Sequence, residues 1–301
     1  MRHGAVAVLA LLTLGASCTK KNGATETDDY KDIAKTFDES EPPPDKRKPV
    51  DGADLGKLSD IDKQRFEKLV DSLPSPCGKS HSLRTSRNTD AECIRARFAV
   101  DYVIALVADG ANDDEAREMY KARYGGEREK KTFKLSDAAP HVGPGDGRIV
   151  LVEFFDFGCP ACQEFAPQLK EVIEAYPTDV VLYYKQFPLA AHEDSKGAAQ
   201  AALAAHKQGK YLEYHELLFA NPNAHKKDAL VGYAKKLGLD MKKWEADYAA
   251  AEAQVNAEKK EGEDANVAST PTLYLNGREY GGPQWSKYVK MWIEEELAVN
   301  R

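Results

Sequence analysis

The strongest runs of hydrophobic positions lie in the second half of the chain. Residues 149–155 are Ile-Val-Leu-Val-Glu-Phe-Phe, and residues 180–184 are Val-Val-Leu-Tyr-Tyr. Continuous apolar runs of this length, with a single carboxylate in the first, are typical of strands buried on both faces of a sheet. Because helical periodicity from Pro160 to about Tyr176 separates them, the order strand, helix, strand predicts a βαβ unit.

Further elements follow the second strand. A region of mainly helical periodicity, about residues 190–267, comes first and predicts a helical insertion. Residues 272–280 then predict a hairpin, because Asn276-Gly277 is a preferred pair for a tight two-residue turn. A helix over residues 284–299 is predicted to close the chain. We therefore expect an α/β domain over residues 128–301.

A shorter helical pattern precedes this domain, over residues 56–127. Apolar residues between Leu58 and Leu73 form one helical stripe, which ends at two prolines. A polar loop through Asn88 leads to a second helix, and the Asn-x-x-Glu sequence at residues 112–115 resembles a capping box that opens a third. This pattern predicts a small all-α domain of three helices.

Residues 1–55 carry a different pattern. A basic start and an apolar run, shorter than the roughly 20 residues that a spanning helix needs, predict a signal peptide over residues 1–17. Small residues directly before Cys18 predict that it is lipidated; an ordinary cleaved signal with an incidental cysteine is the alternative. The polar residues 18–55 predict a disordered tether. We thus expect a periplasm-facing lipoprotein of a bacterial cell envelope, held to a membrane by its lipid anchor.

The overall composition and charge indicate which kinds of partner the protein binds. The chain is 42% hydrophobic and 30% charged, as expected for a soluble globular protein with solvated connecting segments, and its net charge is -7. Proteins that bind nucleic acid usually present a basic face to it. We therefore expect no nucleic-acid partner.

The chain has five cysteines: Cys18, Cys77, Cys93, Cys159 and Cys162. Outside the cytoplasm disulfides persist, and if Cys18 carries lipid the remaining four can pair completely. Pairing Cys77 with Cys93, and Cys159 with Cys162, keeps each bond within one predicted domain. We expect Cys77–Cys93 to be a structural disulfide, which contributes about 3 kcal/mol through loop closure.

The Cys159-Pro160-Ala161-Cys162 sequence carries the predicted chemistry. Cysteines at this spacing on the opening turn of a helix lie on one face and can form a disulfide. The unpaired N–H groups and the dipole at the helix N-terminus favour the thiolate of Cys159, whereas Cys162 lies one turn further in and is shielded. We therefore assign Cys159 as the nucleophile and Cys162 as the resolving cysteine.

Other uses of a close cysteine pair fit this sequence less well. A structural zinc site needs two further ligands, and neither Cys77 and Cys93 nor the seven histidines supply them at a suitable spacing. Haem attachment needs a histidine after the second cysteine, where Gln163 stands instead. A purely structural disulfide would close too small a loop to add much stability. We expect no metal and no cofactor.

Three segments resemble the DsbA-type thiol–disulfide oxidoreductases. They are the strand and cysteine pair at residues 152–162, the Gln-Phe-Pro-Leu sequence at residues 186–189, and the Thr-Pro-Thr-Leu-Tyr-Leu-Asn-Gly sequence at residues 270–277. The resemblance implies a thioredoxin fold with a helical insertion, in which a cis-proline, here Pro271, faces the disulfide. It also implies that the backbone of Thr270 pairs with an extended substrate.

The same resemblance implies roles for residues around the pair. Glu153 lies buried beneath the disulfide and assists proton transfer at Cys162; the alternative is a strand-end glutamate that reaches solvent. The position of Lys185, just past the second predicted strand, makes it a candidate partner of Glu153. Pro160 and Ala161 belong to the substrate-binding surface, and the dipeptide between the cysteines tunes the redox potential. Because this dipeptide has no histidine, strong oxidase behaviour does not follow.

The predicted function is thiol–disulfide exchange on exported proteins, whose thiols or disulfides are the substrates, together with a redox partner protein. Two alternatives stay open. Residues 73–78, 108–115 and 122–125 resemble the three-helix domain of the cytochrome c maturation protein CcmH, although Cys77 stands alone where that family has a close pair. This resemblance implies a reductase for cytochrome c maturation. The other alternative is a non-catalytic envelope adaptor.

Overall fold

The first part of the described chain is helical. The structure, a computed structural model, describes residues 48–126, 129–136 and 139–300. The predicted signal peptide, the predicted lipidation site Cys18 and most of the predicted tether lie outside these ranges. The first helices are α1 (Asp60–Ser72), α2 (Leu83–Thr89), α3 (Arg95–Ala108) and α4 (Asp113–Tyr124).

Helix α2 is an addition to the three helices that the sequence predicts, which correspond to α1, α3 and α4. It lies in the segment predicted to be a polar loop. The Ser82 hydroxyl accepts a hydrogen bond from the Thr85 N–H and caps the helix, while Leu83 is fully buried in the core. A single buried leucine gives no helical period, so the pattern of the sequence does not reveal this short helix.

A mixed sheet forms the centre of the remaining chain. Its strands are β1 (His141–Val142), β2 (Ile149–Phe155), β3 (Val180–Gln186), β4 (Thr272–Leu275) and β5 (Arg278–Glu279), in the spatial order β1-β3-β2-β4-β5. β2 and β3 are parallel, and the other neighbouring pairs are antiparallel. Helix α5 (Pro160–Ala175) connects β2 to β3, which confirms the predicted βαβ unit.

The helical insertion lies between β3 and β4. It comprises α6 (Ser195–His206), α7 (Tyr211–Ala220), α8 (Lys227–Lys236) and α9 (Met241–Asp264), and α10 (Ser286–Val299) follows the sheet. Helix α9 approaches the sheet closely at Gly262, where a Cβ atom would lie 2.7 Å from the ring of Phe187 and 2.9 Å from that of Phe154. The close approach therefore requires glycine at this position.

The hydrophobic core runs from the helical region into the sheet. Buried residues of the first helices, such as Phe66 and Tyr102, belong to the same contiguous cluster as Leu151 of β2. A buried ion pair joins the two parts as well, because Arg123 of α4 lies 2.5 Å from Glu295 of α10. The helical region thus packs directly on α10.

A disulfide crosses the helical region. It joins Cys77, in the loop after α1, to Cys93, just before α3, with the two Cα atoms 5.9 Å apart. Cys93 is buried, whereas Cys77 is exposed. The bond closes the loop that contains α2.

Candidate active site

The Cys159–Cys162 pair lies where β2 ends and α5 begins. Cys159 is the N-cap residue of α5 and Pro160 is its first residue. Both cysteines are free thiols; Cys159 is 8% exposed, and Cys162 is 0% exposed. Cys159 is therefore the outer and more accessible of the two cysteines, and Cys162 lies behind it.

The loop at Thr270 and Pro271 lies directly against Cys159. The peptide bond between Thr270 and Pro271 is cis, and Cys159 Sγ donates a hydrogen bond to the Thr270 carbonyl oxygen at 3.2 Å. The loop reaches this position because β4 pairs with β2, with Thr272 opposite Phe154. Residues that are 111 positions apart in the sequence thus form one site.

Three further residues lie next to Cys159 or to the loop at Thr270 and Pro271. Pro160 and Ala161 are both exposed at the start of α5, directly beside Cys159. Gln284 was not among the predicted site residues. Its Nε2 donates a hydrogen bond to the Pro271 carbonyl oxygen at 3.2 Å, which holds the proline loop from the side of α10.

Glu153 lies within β2 and is 2% exposed. Burial raises the pKa of its carboxyl group from 4.5 to about 8. Burial also raises the pKa of the Cys162 thiol, and the charge of Glu153 raises it further. Each of these groups therefore holds its proton to a higher pH than it would in water.

Lys185 is not the partner of Glu153, and that prediction is wrong. Its Nζ lies 2.9 Å from Glu261 Oε2 and donates a hydrogen bond to the Lys134 carbonyl oxygen at 2.6 Å. In the sheet, Glu153 lies opposite Tyr184. Because successive side chains of a strand point to opposite faces, Lys185 faces away from Glu153.

Asp156 holds the turn between β2 and α5 through its side chain. Its carboxylate accepts hydrogen bonds from the N–H groups of Gly158 at 2.7 Å and Leu189 at 2.8 Å, and it lies 2.7 Å from His192 Nδ1. A Cβ atom at Gly158 would lie 2.5 Å from Ser195 Oγ. The turn therefore packs tightly against the start of the helical insertion.

The backbone of Asp156 contacts both cysteines. Its carbonyl oxygen accepts a hydrogen bond from the Cys159 N–H at 3.0 Å, and its N–H donates to Cys162 Sγ at 3.5 Å. Asp156 was not among the predicted site residues. An aspartate that ends a strand two positions before a glycine is typical of a turn in which the side chain binds the backbone, and this signal could have identified it.

Comparison with known proteins identifies the fold. Residues 136–295, slightly more than half of the chain, match the thioredoxin family. The structure resembles that of a thioredoxin-like oxidoreductase from Silicibacter pomeroyi, with a TM-score of 0.50 and 27% sequence identity, over 54% of this chain and 94% of that chain. The predicted thioredoxin fold with a helical insertion is confirmed.

Curated relatives match about half of this chain. The Na(+)/H(+) antiporter NhaA 1 of Salinispora arenicola is 35% identical over 146 residues, and the Na(+)/H(+) antiporter NhaA 3 of Salinispora tropica is 34% identical over 148 residues. The matched segments cover 47% and 48% of this chain but only 22% of either antiporter.

Within the ranges that the structure describes, no helix is both long enough and apolar enough to cross a membrane.

These similarities confirm the predicted thioredoxin fold at the level of the family, and the structural neighbour is a thioredoxin-like oxidoreductase. The resemblance of about residues 57–126 to the CcmH domain is tested by none of them and stays a prediction. From residue 136 to residue 295, this chain belongs to the thioredoxin family.

Proposed function

We propose that this protein catalyses thiol–disulfide exchange on exported proteins through Cys159 and Cys162. The observation that carries the proposal is the contact of Cys159 Sγ with the Thr270 carbonyl oxygen, at 3.2 Å. It brings a cysteine at a helix N-terminus against a loop of the kind that pairs with an extended peptide. A purely structural cysteine pair would gain nothing from such a loop beside it.

Cys159 acts in the first step. Its thiolate attacks one sulfur of a substrate disulfide. A bond forms between Cys159 Sγ and that sulfur, the substrate S–S bond breaks, and the other substrate sulfur leaves as a thiolate. Thr270 and Pro271 hold the substrate strand, and Pro160 and Ala161 border it.

Cys162 acts in the second step. Glu153 accepts the proton of the Cys162 thiol, and the resulting thiolate attacks Cys159 Sγ. The Cys159–Cys162 bond forms, and the second substrate sulfur leaves with the electron pair of the broken mixed disulfide. The substrate gains two electrons, which the protein loses, and the reverse sequence oxidises a substrate dithiol.

The pKa of Glu153 fits this role. At about 8 it lies close to neutral pH, and a group of this kind can both accept and return a proton. Glu153 lies in the strand that leads to the cysteine turn, and its charge interacts with Cys162. We therefore assign it as the proton acceptor of the second step.

The substrates and the location form part of the proposal. The Cys77–Cys93 disulfide supports an oxidising compartment, and the predicted signal peptide and lipid anchor at Cys18 give a periplasm-facing envelope protein. A redox partner protein restores the active-site pair after each turnover.

Labelling of cells with a fatty acid tests the lipid anchor. We expect the wild-type protein to carry the label and the Cys18→Ala variant to lack it.

Exchange with glutathione disulfide tests the two cysteine roles. We expect Cys159→Ser to abolish the reaction, and Cys162→Ser to accumulate one glutathione on Cys159, visible in the mass of the intact protein. The matched control is the double variant Cys77→Ser with Cys93→Ser, which keeps the reaction. Exchange at the wild-type rate in Cys159→Ser contradicts the proposal.

Equilibration of the protein against glutathione buffers gives the direction of the reaction. At a two-electron couple about 30 mV changes the equilibrium constant tenfold, so the measured potential distinguishes an oxidase from a reductase. Because no histidine lies between the cysteines, we expect a less oxidising potential than that of the strong oxidases of this fold.

A further inference from the structure

A groove between α5 and α7 takes no part in the proposed exchange reaction. Its volume is about 570 Å³, within the range of roughly 300–1,000 Å³ that is usual for small-molecule sites. One of its edge residues, Leu212, is 38% exposed, which is unusual for a large apolar side chain of this protein. Most of its lining is apolar or aromatic, including Val142, Ala166, Pro167, Ile173, Tyr184 and Phe219.

His215 lines the groove and is 6% exposed. Aromatic rings surround its imidazole, with the ring of Phe219 at 4.7 Å and that of Tyr184 at 5.1 Å between centroids. Its Nε2 is buried and has no hydrogen-bond partner among the residues that the structure describes. Buried polar atoms are almost always hydrogen-bonded, so the lining of the groove includes one polar atom whose usual partner is missing from the described chain.

The charges around the groove favour an uncharged occupant. Burial lowers the pKa of His215 to about 3, so its imidazole is neutral at physiological pH. Lys170 and Glu216 pair at 2.8 Å and are both largely exposed, and Glu174 is exposed as well. A carboxylate in the groove would lose its water without finding an unpaired cation among these residues.

We propose that this groove binds an uncharged aromatic molecule that carries one hydroxyl or carbonyl group. The rings of the molecule pack among the apolar walls, and its polar group forms a hydrogen bond with His215 Nε2. The site is distinct from the cysteine pair but shares α5 with it. Gln163, the residue after Cys162, donates a hydrogen bond from Nε2 to the Phe219 carbonyl oxygen at 2.7 Å and joins the two walls.

A pair of matched probes tests the chemistry of the site. The first probe is 2-naphthol, and the second is 2-naphthoate, which has the same rings and a negative charge. Each is titrated into the full chain at neutral pH, and binding is followed by calorimetry and by NMR of the probe. We expect saturable binding of one 2-naphthol per chain, and binding of 2-naphthoate that is at least about tenfold weaker.

Variants of the groove locate the bound probe. Ala166→Phe fills the groove and is expected to abolish binding of 2-naphthol. Leu212→Glu places a charge at the exposed edge, where it leaves the fold intact, and is expected to weaken binding strongly. His215→Phe keeps the ring packing but loses the hydrogen bond, so we expect its affinity for 2-naphthol to be about fivefold lower. Ile61→Glu, at a 73% exposed position of α1, is the control and should bind as the wild type does.

Several outcomes would overturn the proposal. They are the absence of saturable binding of 2-naphthol, equal or tighter binding of 2-naphthoate, and undiminished 2-naphthol binding in both Ala166→Phe and Leu212→Glu. If His215→Phe does not fold, Leu212→Glu and the comparison of the probes decide the question. The result is independent of the exchange reaction, because Cys159→Ser is expected to bind 2-naphthol with unchanged affinity.

Discussion

The carboxylate of Asp156 lies 2.7 Å from Nδ1 of His192, and the Asp156 side chain is 0% exposed. This contact joins the turn that carries the cysteines to the segment that opens the helical insertion. The N–H of the same aspartate donates to Cys162 Sγ. A residue of the insertion therefore helps to fix the position of the Cys162 sulfur through Asp156.

We expect Asp156→Asn to destabilise the protein and to slow the resolving step. One carboxylate oxygen becomes an NH₂ group, which faces the N–H of Gly158 or Leu189 instead of accepting from it. The loss of a hydrogen-bond acceptor in a buried site lowers the free energy of unfolding by about 1–3 kcal/mol. Urea unfolding measures the stability, and release of glutathione from the Cys159 mixed disulfide measures the rate.

The control for this prediction is Asp194→Asn. Asp194 is the N-cap residue of α6, but its side chain makes no capping hydrogen bond. We expect its substitution to change the free energy of unfolding by less than about 0.5 kcal/mol. Equal stabilities and equal rates in the two variants would show that Asp156 does not position Cys162.

The stability of the reduced protein should fall as the pH rises, because of Glu153. Its pKa is raised from 4.5 to about 8 in the folded state, so the folded state binds the proton more tightly than the unfolded state does. The resulting contribution to stability is complete below pH 4.5 and is lost as the pH rises through about 8.

Glu153→Gln removes this dependence on pH. We expect the free energy of unfolding of the variant to exceed that of the wild type at pH 9 by a few kcal/mol, because each unit of pKa shift corresponds to about 1.4 kcal/mol. Towards pH 4 the two free energies should converge. Urea unfolding of the reduced proteins across this range is the measurement. Parallel curves for the two proteins would contradict a raised pKa at Glu153.

Loss of the Cys77–Cys93 disulfide should lower stability and leave exchange intact. The bond spans 16 positions of the sequence, and a loop of this size is worth about 3 kcal/mol in the chain-entropy treatment. The double variant Cys77→Ser with Cys93→Ser is therefore expected to unfold at a lower urea concentration. An unchanged urea midpoint, or a loss of exchange with glutathione disulfide in a folded variant, would argue against a structural role.

The contact between the helical region and α10 depends on a buried charge pair. Side chains of Arg123 and Glu295 are 3% and 1% exposed, so Glu295→Gln would leave a buried guanidinium with less compensation. We expect the free energy of unfolding to fall by about 3–5 kcal/mol. Lys260→Gln is the control, because its pair with Asp264 is exposed and worth about 1 kcal/mol at most; similar unfolding free energies of both variants would contradict the prediction.

Local patterns in the sequence determined much of the fold. The apolar runs at β2 and β3 with a helix between them predicted the βαβ unit, and Asn112 and Glu115 form the capping box that their spacing predicts. Cys159 stands at the helix N-terminus, as its position before Pro160 indicates. These features depend on interactions between residues a few positions apart, which periodicity and spacing encode.

The tertiary structure alone decided which distant groups meet. The register of β2 against β3 turned Lys185 away from Glu153 and towards Glu261, and packing of the insertion set His192 on Asp156. Sequence resemblance suggested that the Thr270 loop faces the cysteines, but the contact with Cys159 exists because β4 pairs with β2. Contacts of this kind depend on sheet register and helix packing, and no local period of the sequence specifies them.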